Sequence, residues 1–89
     1  MVSIEFDMIV FKEEKTFIAY SPQLDVSSCG NTIEEAKQNL KITVRLFLEE
    51  TEKMGTLEDV LIESGYRRRD RMHDWIEPRM VATELVGVS

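Results

Sequence analysis

One cysteine, one histidine, one tryptophan and two prolines are spread through 89 residues. Cys29 alone excludes an intrachain disulfide and fits a reducing compartment. No apolar run approaches the ~18–20 residues that span a bilayer, so no membrane segment is expected. No basic stretch followed by an apolar one opens the chain, so no signal peptide is read and a cytoplasmic protein is expected. Positive charge is also scarce: the net charge is -6, which disfavours general nucleic-acid binding.

A convergent catalytic set is missing as well. His73, the lone histidine, lies near Trp75 in a polar stretch and reads as a surface residue. Cys29 has no motif around it and is expected as an inert buried thiol on a strand. Ser27-Ser28 lacks a nucleophile elbow. Glu13-Glu14 and Glu49-Glu50-Glu52 read as solvated faces; Asp7 and Asp25 could be imagined as a carboxylate pair, although their spacing does not require it. The expectation is a protein that is not an enzyme, with no catalytic residue, no metal and no cofactor.

What the chain does contain is local pattern. Residues 2–11 alternate, with Val2, Ile4, Phe6, Met8 and Val10 on one side, and predict a half-buried strand. Lys12 to Lys15 is a polar turn, and residues 16–21 return as a second strand. Pro22 breaks it, and residues 26–29 form a short third strand. Gly30 suits the reversal from strand to helix through its conformational freedom. Thr32 and Glu35 form a capping box, Thr32 receiving the N–H of residue 35 and Glu35 reaching back to the N–H of Thr32.

A long helix follows, from Thr32 to about Met54. Ile33, Ala36, Leu40, Val44, Phe47 and Leu48 make its apolar stripe, and Gly55 stops it. Thr56 and Asp59 repeat the capping pattern before a short helix over 57–64. Residues 79–88 read as a final strand after Pro78. The chain is therefore expected as one domain, 1–89, of α+β class. Its order is β-β-β-α-β: a three-stranded antiparallel meander packed on one long helix, plus a C-terminal strand.

Within residues 17–36 a strand with an aromatic runs into a proline turn, a short strand, then Gly-Asn-Thr and Glu-Glu-Ala. The positions are Tyr20, Pro22, Leu24, Gly30, Asn31, Thr32, Glu34, Glu35 and Ala36. This order resembles the HicB-type antitoxins and their short, stand-alone relatives, over roughly residues 6–64. Where that family commonly has Asp-Leu-Pro-Gly after its proline, this chain has Gln23-Leu24-Asp25-Val26. The resemblance implies a reduced ribonuclease-H-like domain without nuclease chemistry. It implies a partner too, a small basic RNA-cleaving toxin, met by Tyr20, Pro22, Leu24 and Asp25. After Gly65 the chain carries no helix pair of the kind that binds operator DNA in full-length relatives.

The alternative function is a nucleic-acid-binding module built on Arg67, Arg68, Arg69 and Arg71. Residues 1–64 hold six Lys/Arg against thirteen Asp/Glu, whereas residues 65–89 hold five against four. The run is short and has no interleaved aromatic beyond Tyr66, so a solvated connector pairing with an acidic helix is the preferred reading. Finally, so short a chain buries only ~60–65 % of its unfolded surface. Residues 79–88 carry apolar side chains on both faces. A homo-oligomer, a dimer or higher, is expected to form through Val81, Leu85 and Val86.

Overall fold

The computed structural model describes residues 3–69 and 74–89. Its elements run β1 (Ile9–Glu13), β2 (Thr16–Ser21), β3 (Val26–Gly30), α1 (Ile33–Met54), α2 (Leu57–Glu63), β4 (Arg67–Arg69) and β5 (Asp74–Ile76). The first three strands form an antiparallel sheet in the order β1-β2-β3, and β4 pairs with β5 in a separate ribbon. The fold is α+β, as the patterning predicts.

Alternation and turn chemistry explain the meander. Ile9 pairs with Tyr20 and Glu13 with Thr16, closed by Glu14-Lys15 with Glu14 at φ 54°. Ser21 pairs with Val26 and Phe17 with Gly30. Between them Asp25 takes φ 55°, a conformation Asp tolerates better than most residues. Its N–H donates to Ser21 O at 2.8 Å, and the Leu24 N–H donates to Ser21 Oγ at 3.4 Å.

Helix α1 is capped at both ends as the sequence predicts, with one change of partner. The Glu35 N–H donates to Thr32 Oγ1 at 3.0 Å. Glu35 Oε1, however, accepts from the Asn31 N–H at 3.1 Å rather than from Thr32. At the other end Gly55 adopts φ 75°. Its N–H reaches Glu52 O and the Thr56 N–H reaches Thr51 O, the paired bonds of a Schellman motif. Thr56 makes no side-chain cap on α2; its hydroxyl turns back to Thr51 O.

Helix α1 lies across β3 and β2. Ala19, Ala36 and Leu40 are fully buried there, with Val44 beside them. The two alanines let helix and sheet approach closely. Gly30 is the tightest point: a Cβ there would sit 2.6 Å from Ala36 N and 2.9 Å from Glu35 C. Its φ is not positive, so the glycine serves close approach rather than the conformational freedom expected of it. Ile33, expected in the stripe, is 48 % exposed, because the helix enters the core only at Ala36. Leu61, Tyr66 and Trp75 complete the core from the distal side.

Two expected strands differ. The ladder of the first covers only Ile9–Glu13, because β2 pairs with it only as far as Tyr20 and its last residue, Ser21, pairs with Val26 alone. Residues 4–8 lie outside the ladder; Ile4, Phe6 and Met8 still pack on the core while Glu5 faces solvent. The strand predicted over 79–88 is not formed, and its residues carry no secondary structure. Strand structure in the last third lies instead at β4 and β5, where each strand has the other as partner. Among the described residues the apolar side chains of 79–88 have no such neighbouring strand, and propensity alone makes no ladder.

Candidate functional site

The turn between β2 and β3 is stiffened from within. The Tyr20 hydroxyl donates to Asp25 Oδ1 at 3.0 Å across it. That bond, with some desolvation and the Asp25 charge, raises the Tyr20 pKa above its usual value. Asp25 is exposed, Tyr20 and Pro22 are half-buried, and Leu24 is 7 % exposed. Leu24 therefore anchors the turn in the core and leaves Tyr20, Pro22 and Asp25 as its accessible part.

Gln23 fastens this turn to two distant segments. Its Nε2 donates to Asp7 Oδ2 and to Pro78 O, and its Oε1 accepts from the Asp7 N–H at 3.0 Å. Sequence reasoning passed over Gln23, and no local signal marks it, since its partners lie 16 and 55 residues away. Asp7 and Asp25 are thus occupied separately, Asp7 with Gln23 and Asp25 with Tyr20. Among the described residues, no three His, Cys, Asp or Glu side chains gather as a metal site would need.

Arg67, Arg68 and Arg69 are all exposed on β4. Alternation puts Arg68 on the opposite face from Arg67 and Arg69. It stands 5.2 Å over the Trp75 ring and donates to Glu58 Oε2 at 2.9 Å. Part of the run is therefore a connector paired with an acidic helix, leaving Arg67 and Arg69 on the other face. Arg71 and His73 lie outside the described residues. Cys29 is exposed on β3, not buried as expected, because its side chain points away from α1. Val81 and Leu85 are 89 % and 101 % exposed, and Val86 is 64 % exposed.

Tyr66 is a buried phenol with a structural role. Its hydroxyl donates to Glu5 O at 2.6 Å and ties residues 4–8 to the distal body. Burial first, then the charges of Glu77 and Asp7, pushes its pKa up to about 12, so it stays a neutral donor through the physiological range.

An open groove of about 330 Å³ runs between residues 3–6 and α1. Ile4, Phe6, Leu48 and Leu57 make its apolar floor, and Lys41, Arg45, Glu49 and Glu52 line its helix side. No pattern within one element announces it, because its walls come from three separate segments.

Among the described residues no helix is long and apolar enough to cross a membrane. Compared with protein-family models, curated proteins and solved structures, the chain shows no significant match in any of the three.

Proposed function

We propose that this chain is a HicB-like, antitoxin-type domain whose work is to bind another protein, a small basic RNA-cleaving toxin. One observation carries the reading: a β-β-β meander with a proline turn passes through Gly30-Asn31-Thr32 into a capped helix opening Glu34-Glu35-Ala36. That is the order of elements the HicB-type resemblance implies. The accessible part of the turn, Tyr20, Pro22 and Asp25, is the proposed contact surface. The acidic balance of residues 1–64 would steer a basic partner toward it. The reading assigns no catalytic residue, metal or cofactor, and places the protein in the cytoplasm as a homo-oligomer.

Co-expression with a small basic protein encoded in the adjoining reading frame tests it. Co-purification and relief of that protein's toxicity are expected, with Asp25→Lys weakening the complex about tenfold or more. Failure of wild-type protein to bind or to neutralise such a neighbour would overturn the reading. Exposed Arg67 and Arg69 support the second reading, a nucleic-acid module. It requires salt-sensitive retardation of duplex DNA or RNA that is lost in Arg67→Ala/Arg69→Ala. Absence of retardation at low salt removes it.

A further inference from the structure

The body of the molecule holds the chain as far as Pro78 and then releases it. Gln23 Nε2 donates to Pro78 O at 3.3 Å, and the Pro78 ring lies 3.4 Å from where a Cβ on Gly65 would stand. Beyond it residues 79–88 run without secondary structure and are exposed throughout. Val81, Leu85 and Val88 are each at least 89 % exposed.

The surface is also large for a chain of this size. The accessible area is 6984 Å², whereas a compact monomer of 10.3 kDa exposes about 5,400 Å². The radius of gyration is 14.6 Å against about 12 Å for a compact chain of this length. The excess, about 1,600 Å², is roughly twice what one partner contributes to a standard protein interface.

The same molecule carries a surface of complementary character. The groove beside α1 has an apolar floor, with Lys41 and Arg45 toward one end and Glu49 and Glu52 toward the other. Lys41 and Glu52 are about three turns apart on one face of the helix, a rise of about 16 Å. Arg79 and Glu84, extended, are about 17 Å apart. In an extended arm Arg79, Val81 and Leu85 share one face and Glu84 lies on the other. Run antiparallel to α1, the arm lays Val81 and Leu85 on the apolar floor with Arg79 toward Glu52, and Glu84 lies along the rim level with Lys41. The opposite wall is Ser3, Ile4 and Phe6, in a segment whose residues 4–8 lie outside every sheet ladder among the described residues, with Glu5 O and the Asp7 N–H already held by Tyr66 and Gln23.

We propose that residues 79–88 dock in the groove between residues 3–6 and α1 of a second copy of this chain, exchanged reciprocally in a two-fold dimer. The exchange covers both apolar surfaces at once and matches charge at both ends of the groove. It stands independently of the toxin reading, since the groove and the β2–β3 turn are built from different residues.

Sedimentation equilibrium of the full chain across micromolar concentrations tests the dimer. Charge reversal tests the register, and Lys41, Glu52, Arg79 and Glu84 are all exposed, so the fold is kept. A dimer is expected, with Leu85→Asp weakening association about tenfold or more. Glu84→Lys and Lys41→Glu should each weaken it, and the two together should restore it. A monomer at every concentration overturns the proposal, as does a dimer that ignores Leu85→Asp or a double reversal no tighter than either single one.

Discussion

The sheet and α1 differ from the last third of the chain in how their contacts are made. From Thr16 to Gly55 each element meets its neighbour in sequence: β2 pairs with β3, and α1 folds back over both. From Tyr66 onward, apart from the short β4–β5 ribbon, the contacts are distant or sparse. Tyr66 reaches Glu5, Trp75 closes the core from the far side, Pro78 leans on Gly65, and residues 79–88 meet little of their own body. Local contacts can be read from local pattern. Distant ones depend on what another part of the chain happens to present.

Three substitutions sharpen this contrast. Leu40→Ala strikes the body, where Leu40 is wholly buried between helix and sheet. It is expected to cost about 2–5 kcal/mol in urea unfolding, enough to leave much of so small a domain unfolded. A loss below about 1 kcal/mol would show that the helix–sheet contact is not the principal core.

Tyr66→Phe tests the tie between residues 4–8 and the distal body. It leaves Glu5 O without its donor and is expected to cost about 1–3 kcal/mol. The pH dependence has a definite sign. The pKa of Tyr66 is raised from 10.0 in the unfolded chain to about 12 in the folded one. Its contribution is therefore fully present below pH 10 and is lost as pH rises through 12. Stability of the wild-type protein should fall across that window, and Tyr66→Phe should flatten the fall; equal slopes would remove Tyr66 as its source.

Arg68→Ala is expected to have the smallest effect, about 1 kcal/mol or less. An exposed ion pair and an exposed cation–π contact each contribute little, and salt screens the first. A larger loss, measured by the same unfolding experiment, would make the β4–β5 ribbon as integral to the fold as α1 and erase the distinction between the two regions.

The candidate site divides along the same line. Tyr20, Pro22 and Asp25 stand on the β2–β3 turn, whose proline and flanking strands mark it within a dozen residues of sequence. Leu24 sits in the same turn but points inward, and no pattern of period two distinguishes inward from outward inside a turn. Cys29 reverses in the same way: strand membership was legible, while the face it shows depends on which side α1 covers. The groove beside α1 was not legible at all, because residues 3–6, α1 and α2 each supply one wall.

Sequence by itself determined the capped helix from Ile33 to Met54, the meander before it, and the α+β class, since hydrogen bonds three to five residues apart and apolar periodicity act within each segment. Tertiary structure alone decided the rest. It cut the first ladder to Ile9–Glu13 because β2 pairs with β1 only as far as Tyr20, and it required Gly30 because the start of α1 comes within 2.6 Å of where a Cβ would stand. It left residues 79–88 without a ladder because a strand exists only opposite another strand, and among the described residues none lies beside them.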